Sequence, residues 1–126
     1  MEGWMKARLG IVAVAAILLS ACSATPKAEY GQPLPPRAQQ FKTKLAGHID
    51  NCSMQKIKSK GLDGHQALKQ CLCEVDVLAW NSSDEEKVAL EQIAQRGSNA
   101  VEPEVKELGT ATVRRLSGER TRICGA

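Results

Sequence analysis

The sequence predicts an all-α domain, a small bundle of about four helices held together by two disulfide bonds. Apolar residues recur at helical spacing from Ala38 onward, and no stretch shows the two-residue alternation of a β-strand. The chain has 126 residues, enough for one domain, but only 3% of them are aromatic. With so few large side chains, the hydrophobic core is expected to be small and to need covalent support. The four cysteines that follow Cys22 are suited to provide it.

The first helix is predicted from a single apolar face. Phe41, Leu45, Ile49 and Cys52 follow one another at intervals of three or four residues. A turn over residues 61–64, which contains two glycines, separates this helix from the next.

The second helix is predicted over residues 66–80 and is expected to be the most buried, because it carries two apolar stripes. The third helix is predicted to begin after Ser83, since Ser83 and Glu86 have the spacing of a capping box. It is expected to end near Gly97.

The fourth helix is predicted to start at Pro103, which suits a first turn, and to end at Gly118. A loose tail is expected after it, over residues 119–126. The end of the chain is rich in basic residues: Arg114, Arg115, Arg120 and Arg122. These arginines are either an ordinary solvated face or a docking patch for anionic lipid or an acidic partner.

Helical geometry chooses among the three possible pairings of the four cysteines. Cys71 and Cys73 point in nearly opposite directions, about 200° apart around a helix, so they are not expected to bond to each other. Antiparallel register across the turn places Cys52 opposite Cys71. The remaining pair is Cys73 with Cys124, which would pin the tail to the central helix.

A different interpretation of the cysteines is a metal or ligand site. Cys71-Leu72-Cys73 would supply thiolates, with His48 or His65 nearby. This alternative makes the domain a periplasmic carrier. Catalysis is not expected, because capping and the helix dipole explain the polar run at residues 82–86, and no glycine-rich phosphate loop is present. No metal or other cofactor is predicted.

The N-terminus has the pattern of an export signal. Lys6 and Arg8 precede an uncharged apolar run, Leu9–Leu19. Even when it is extended through Ala21, this run is shorter than the ~20 residues needed to span a bilayer permanently. A cleaved signal helix is therefore favoured over a lasting transmembrane anchor.

The residues that follow the run are Leu19-Ser20-Ala21-Cys22. They resemble the lipobox of bacterial lipoproteins, in which small residues precede a cysteine that becomes the lipid-modified N-terminus. The resemblance implies a signal peptide that ends at Ala21 and a covalent lipid on Cys22 that anchors the protein to a membrane. Because Ser23 replaces the aspartate of the inner-membrane retention signal, the outer membrane, facing the periplasm, is the expected location.

Residues 22–37 contain four prolines and show no packing period, so they are predicted to form a flexible tether before a folded domain at residues 38–126. In polyproline II conformation at ~3.1 Å per residue, this tether would reach roughly 45 Å from the membrane.

The charge balance and the spacing of the cysteines limit the classes of function that the sequence supports. Removal of the signal peptide leaves 15 basic and 13 acidic residues, a balance that gives no reason to expect nucleic acid as a partner. Cys52 followed by Cys71-Leu72-Cys73 is similar to the pattern of small cysteine-pinned helical proteins of bacterial envelopes. The expected architecture, a small disulfide-bonded helical lipoprotein, also resembles that of pilotins, and its small size resembles that of the entry-exclusion lipoproteins of conjugative elements. The resemblance implies a non-catalytic adaptor or structural protein that contacts another envelope protein.

Overall fold

A computed structural model describes residues 27–125, which form six α-helices and contain no β-strand. The predicted all-α class is confirmed. The predicted signal peptide and Cys22 lie outside the described residues. The helices are α1 (Pro36–Lys44), α2 (Ala46–Lys60), α3 (Gly64–Asn81), α4 (Asp84–Arg96), α5 (Pro103–Arg115) and α6 (Ser117–Cys124).

The predicted count of about four helices is wrong, because the first predicted helix is divided in two and the predicted tail forms a further helix. The bends lie at Leu45 (φ −92°, ψ 6°) and Leu116 (φ −92°, ψ 3°). The N–H of Leu45 still donates to the carbonyl of Phe41, and that of Leu116 to the carbonyl of Thr112, both at 3.1 Å. The chain therefore changes direction without losing these hydrogen bonds, and the apolar spacing continues through each bend.

Gly118 does not end a helix, and the expected loose tail is helical as far as Cys124. The reason is that α6 begins directly after the bend at Leu116, and Gly118 lies in its first turn. Gly125, with φ at 68°, ends the helix instead.

The core surrounds α3, as the two apolar stripes predict. This helix packs against α1, α2 and α6, while α4 packs against α1 and α5. Phe41, Cys71 and Val77 are fully buried at its faces. The central position of α3 explains why both disulfide bonds start from it.

Local capping follows the sequence closely. The N–H of Glu86 donates to the Ser83 hydroxyl at 3.2 Å, and the Ser83 N–H donates to the Glu86 carboxylate at 2.8 Å, which completes the predicted capping box. Asp63 caps α3 by accepting a hydrogen bond from the N–H of Gln66. Pro103 lies in the first turn of α5, as predicted.

The later part of the predicted tether packs on the bundle. We call residues 27–35 the strap. Leu34 contacts the core, and the Tyr30 hydroxyl accepts a hydrogen bond from the Asn81 amide at 2.7 Å and donates one to Glu119 at 3.0 Å. Helix α1 begins at Pro36, two residues before the predicted boundary. These contacts could not be predicted from the sequence, because two isolated contact residues, Tyr30 and Leu34, produce no periodic apolar pattern.

Within residues 27–125, no helix combines the length and the apolar character needed to cross a membrane.

Candidate functional site

The four cysteines of the folded domain form the two predicted disulfide bonds. Cys52 is joined to Cys71, with 6.1 Å between their Cα atoms, and Cys73 is joined to Cys124, with 5.7 Å between theirs. The first bond ties α2 to α3, and the second ties α6 to α3. All four sulfurs are thus used in bonds that hold helices onto the central one.

The structure does not bring the residues of the predicted alternative metal site together. Among residues 27–125, the one group of three potential ligands is Cys52, Cys71 and Glu74, whose ligand atoms lie within 4.8 Å of one another. None of the other predicted ligands, His48, His65 and Cys73, belongs to this group. Its two sulfurs are bonded to each other, and Lys56 donates to the Glu74 carboxylate at 3.0 Å.

The predicted arginine patch divides into two functionally different pairs. Arg115 donates to both carboxylate oxygens of Glu86, at 2.7 and 2.8 Å, and Arg122 donates to Glu119. Arg114 and Arg120 form no salt bridge within residues 27–125, and both line a groove. Among residues 27–125, this second pair is the one whose charges are not matched by a carboxylate of the protein.

Glu86 is the centre of the most connected polar cluster. Its carboxylate also accepts a hydrogen bond from the buried Thr112 hydroxyl at 2.7 Å. Burial alone would raise the pKa of Glu86, but hydrogen bonds from the Ser83 N–H, Arg115 and Thr112 together outweigh it and lower the pKa to about 2. The cluster joins the start of α4 to the end of α5, and we assign it to stability.

The most distinctive surface feature is a groove of about 670 Å³, which we call the basic groove. Residues of α2, α3, α4, α5 and α6 line it, together with Leu45 at the first bend. Its apolar lining consists mainly of Leu45, Leu78, Leu90, Ile93, Ala94 and Val113.

Three basic side chains line the groove beside this apolar floor, namely Lys106, Arg114 and Arg120, together with His48. None of its described lining residues is acidic. The Nε atom of Arg120 is buried without a hydrogen-bond partner in the described structure. A buried donor without a hydrogen-bond partner is unfavourable to the fold.

A second groove, of about 860 Å³, lies under the strap and has a different character. Leu34, Leu72 and Trp80 line it, but so do Lys42 and Asp76, whose side chains form an ion pair at 2.8 Å. The positive charge of Lys42 in this groove is therefore balanced by the carboxylate of Asp76. The basic groove is therefore the surface with the clearer chemical preference.

The sequence did not predict that Lys106 and His48 lie beside the arginines. On α5, Leu108 is 37% exposed, whereas Gly109 is buried. A Cβ at Gly109 would overlap the Cδ1 of Ile93, so the glycine allows α4 and α5 to approach closely. The groove stripe of α5, at residues 106, 109, 110, 113 and 114, has helical spacing that the sequence displays.

The remaining buried acid outside the groove also has partners within the protein. Glu91, only 6% exposed at its side chain, pairs with Arg37 and with Lys44, the latter at 3.0 Å. Burial would raise the pKa of Glu91, but these two cations lower it overall. We therefore assign Glu91 to holding α1 against α4.

Comparison of the chain with protein-family models, with curated proteins and with solved structures finds no match.

Proposed function

We propose that the chain is a bacterial envelope lipoprotein, anchored by a lipid on Cys22, whose helical domain is a non-catalytic adaptor for an acidic protein partner. The observation that carries this proposal is the basic groove, whose described lining includes Lys106, Arg114 and Arg120 and no acidic residue. Complementary charge on a partner would speed encounter and fix its orientation.

The strap shortens the distance between anchor and domain. Tyr30 is held by Asn81 and Glu119, and only seven residues lie between it and Cys22. The eight steps from Cys22 to Tyr30 span at most about 29 Å when fully extended. The bundle would thus work closer to the lipid headgroups than the ~45 Å expected of a longer polyproline tether.

The anchor is tested by labelling cells with palmitate. We expect label on the wild-type protein and none on Cys22→Ala, because the lipobox cysteine is the only proposed acceptor. Ser23→Ala provides the matched control and should keep its label. Label on Cys22→Ala, or an unlabelled wild-type protein in the soluble fraction, contradicts the anchor.

The adaptor role is tested by chemical crosslinking in intact cells and mass spectrometry of the adducts. We expect a reproducible protein partner whose recovery falls strongly in the double variant Arg114→Glu, Arg120→Glu. The control is Lys58→Glu, Lys60→Glu, which makes the same change in net charge at exposed positions on the last turn of α2. Equal loss in both variants would mean that net charge, and not the groove, governs binding.

The carrier alternative differs from the adaptor in the number of free thiols, because a thiolate metal site needs reduced cysteines. Protein purified without reductant should have no titratable thiols if both disulfide bonds are structural. Free thiols together with a stoichiometric copper or zinc ion would favour the carrier over the adaptor.

A further inference from the structure

We infer that the basic groove binds one face of an amphipathic helix from the partner, with carboxylates spaced about two helical turns apart along one edge. This inference rests on the proposed adaptor function and names the chemistry of its binding segment. It is carried by the stripes that line the groove and by the spacing of the cations around it.

The residues that line the groove are arranged so that an additional helix could pack on them. Helix α4 presents residues at intervals of three and four: Leu90, Ile93, Ala94 and Gly97. Helix α5 presents a second stripe over residues 106–114, and Ser117 at the start of α6 continues it. His48 and Asn51 of α2 also line the groove, although α2 packs chiefly on α3 and α5 on α4. An apolar helix face laid on this floor would contact several helices at once, as in helix-in-groove recognition.

The cations are distributed along the groove and do not form one cluster. Lys106 and Arg114 both lie on α5, eight residues apart, which corresponds to about 12 Å along the helix axis. Arg120 follows on α6, beyond the second bend. A single acidic headgroup on an acyl chain would reach one of these positions. A helix with carboxylates at i and i+7 or i+8 would reach two.

The length of the stripe sets the length of the partner segment. From residue 106 to residue 117, α5 and its bend cover about 17 Å at 1.5 Å per residue. The fitting segment is therefore a helix of about 11 to 14 residues. Its apolar residues would recur at i, i+3, i+4 and i+7, and acids would flank them on the side that meets α5.

The experiment uses the full-length protein in living cells, with a photo-crosslinking amino acid in place of Thr110. Thr110 is exposed and lines the groove, so its substitution leaves the core intact. The same probe in place of Gln55, an exposed residue of α2 that lines neither large groove, is the matched control. The crosslinked partner peptide is then sequenced.

We expect the Thr110 probe, and not the Gln55 probe, to capture a segment with this acidic amphipathic pattern. Reversing both α5 cations, Lys106→Glu with Arg114→Glu, should lower the yield about tenfold, since two exposed charge pairs are lost. Lys58→Glu with Lys60→Glu should change the yield less than about twofold.

Other outcomes separate the two proposals. Capture by Thr110 of lipid, or of a protein segment without spaced carboxylates, overturns the acidic helix as occupant. A partner captured only from Gln55 overturns the groove as its site and leaves the adaptor role standing. Absence of any protein adduct from both positions, in cells where the protein is present at normal level, counts against the adaptor itself.

Discussion

The polar cluster at Glu86 gives the sharpest test of what stabilises the bundle. Glu86→Gln keeps the size of the side chain and its ability to complete the capping box with Ser83. It removes the negative charge that Arg115 approaches at 2.7 and 2.8 Å. The variant thus isolates the ionic part of a contact that joins α4 to α5.

The magnitude follows from the pKa of Glu86, which falls from its ordinary value of 4.5 to about 2. At about 1.4 kcal/mol for each tenfold change in acid dissociation, this difference corresponds to about 3 kcal/mol. The Arg115 side chain is 51% exposed, so water and salt screen its share, and Gln retains several hydrogen bonds. We expect Glu86→Gln to lower the free energy of unfolding by about 1–2 kcal/mol near neutral pH.

The pH dependence has a definite sign. Because the pKa of Glu86 in the folded protein lies below its unfolded value, the stabilisation is fully present above 4.5 and is lost as pH falls toward about 2. Urea titrations followed by far-ultraviolet circular dichroism, with disulfide bonds intact, should show a shallower acid dependence in Glu86→Gln than in the wild type. Glu85→Gln, exposed in the same helical turn, is the control and should cost about 0.5 kcal/mol or less. An unchanged acid dependence, or an equal loss in the control, would refute the argument.

Two further predictions concern the supports of the fold. Removing the Cys73–Cys124 bond, which closes a 51-residue separation, should cost about 4 kcal/mol, and removing Cys52–Cys71, with a separation of 19, about 3 kcal/mol. Both are measured by urea unfolding of the double alanine variants, and a larger loss for the shorter loop would contradict the loop-entropy argument. Tyr30→Phe should release the strap at a cost of about 0.5–1.5 kcal/mol. Hydrogen exchange over residues 27–35 should then rise, whereas Gln32→Ala, at an exposed position, should leave it unchanged.

The parts of the fold that sequence predicted are those set by short-range geometry. The capping box depends on two residues three apart, Ser83 and Glu86, so local pattern is sufficient. The disulfide pairing also follows from local rules, because the turn fixes the register of α2 with α3 and helical rotation fixes where Cys71 and Cys73 point. Nothing about distant packing was needed for either conclusion.

The missed features all depend on contacts between distant segments. Tyr30 meets Glu119 across 89 residues, and no periodic pattern announces such a contact. The arginines near the end of the chain looked alike in sequence, yet Arg115 turns to Glu86 while Arg114 lines the groove. His48 joins them from α2, so the composition of the groove is fixed only by the tertiary arrangement.

The two unpredicted bends connect the disulfide bonds to the candidate binding surface. Leu45 lines the basic groove, and so does Ser117, the residue after Leu116, so both bends lie at its border. Beyond the bends, α2 is fixed to α3 by Cys52–Cys71 and α6 by Cys73–Cys124. The disulfide bonds thus hold in place the helices that border the floor, and the groove is shaped before any partner arrives. A preformed groove avoids much of the ordering entropy lost on binding, so the bonds would support affinity as well as folding.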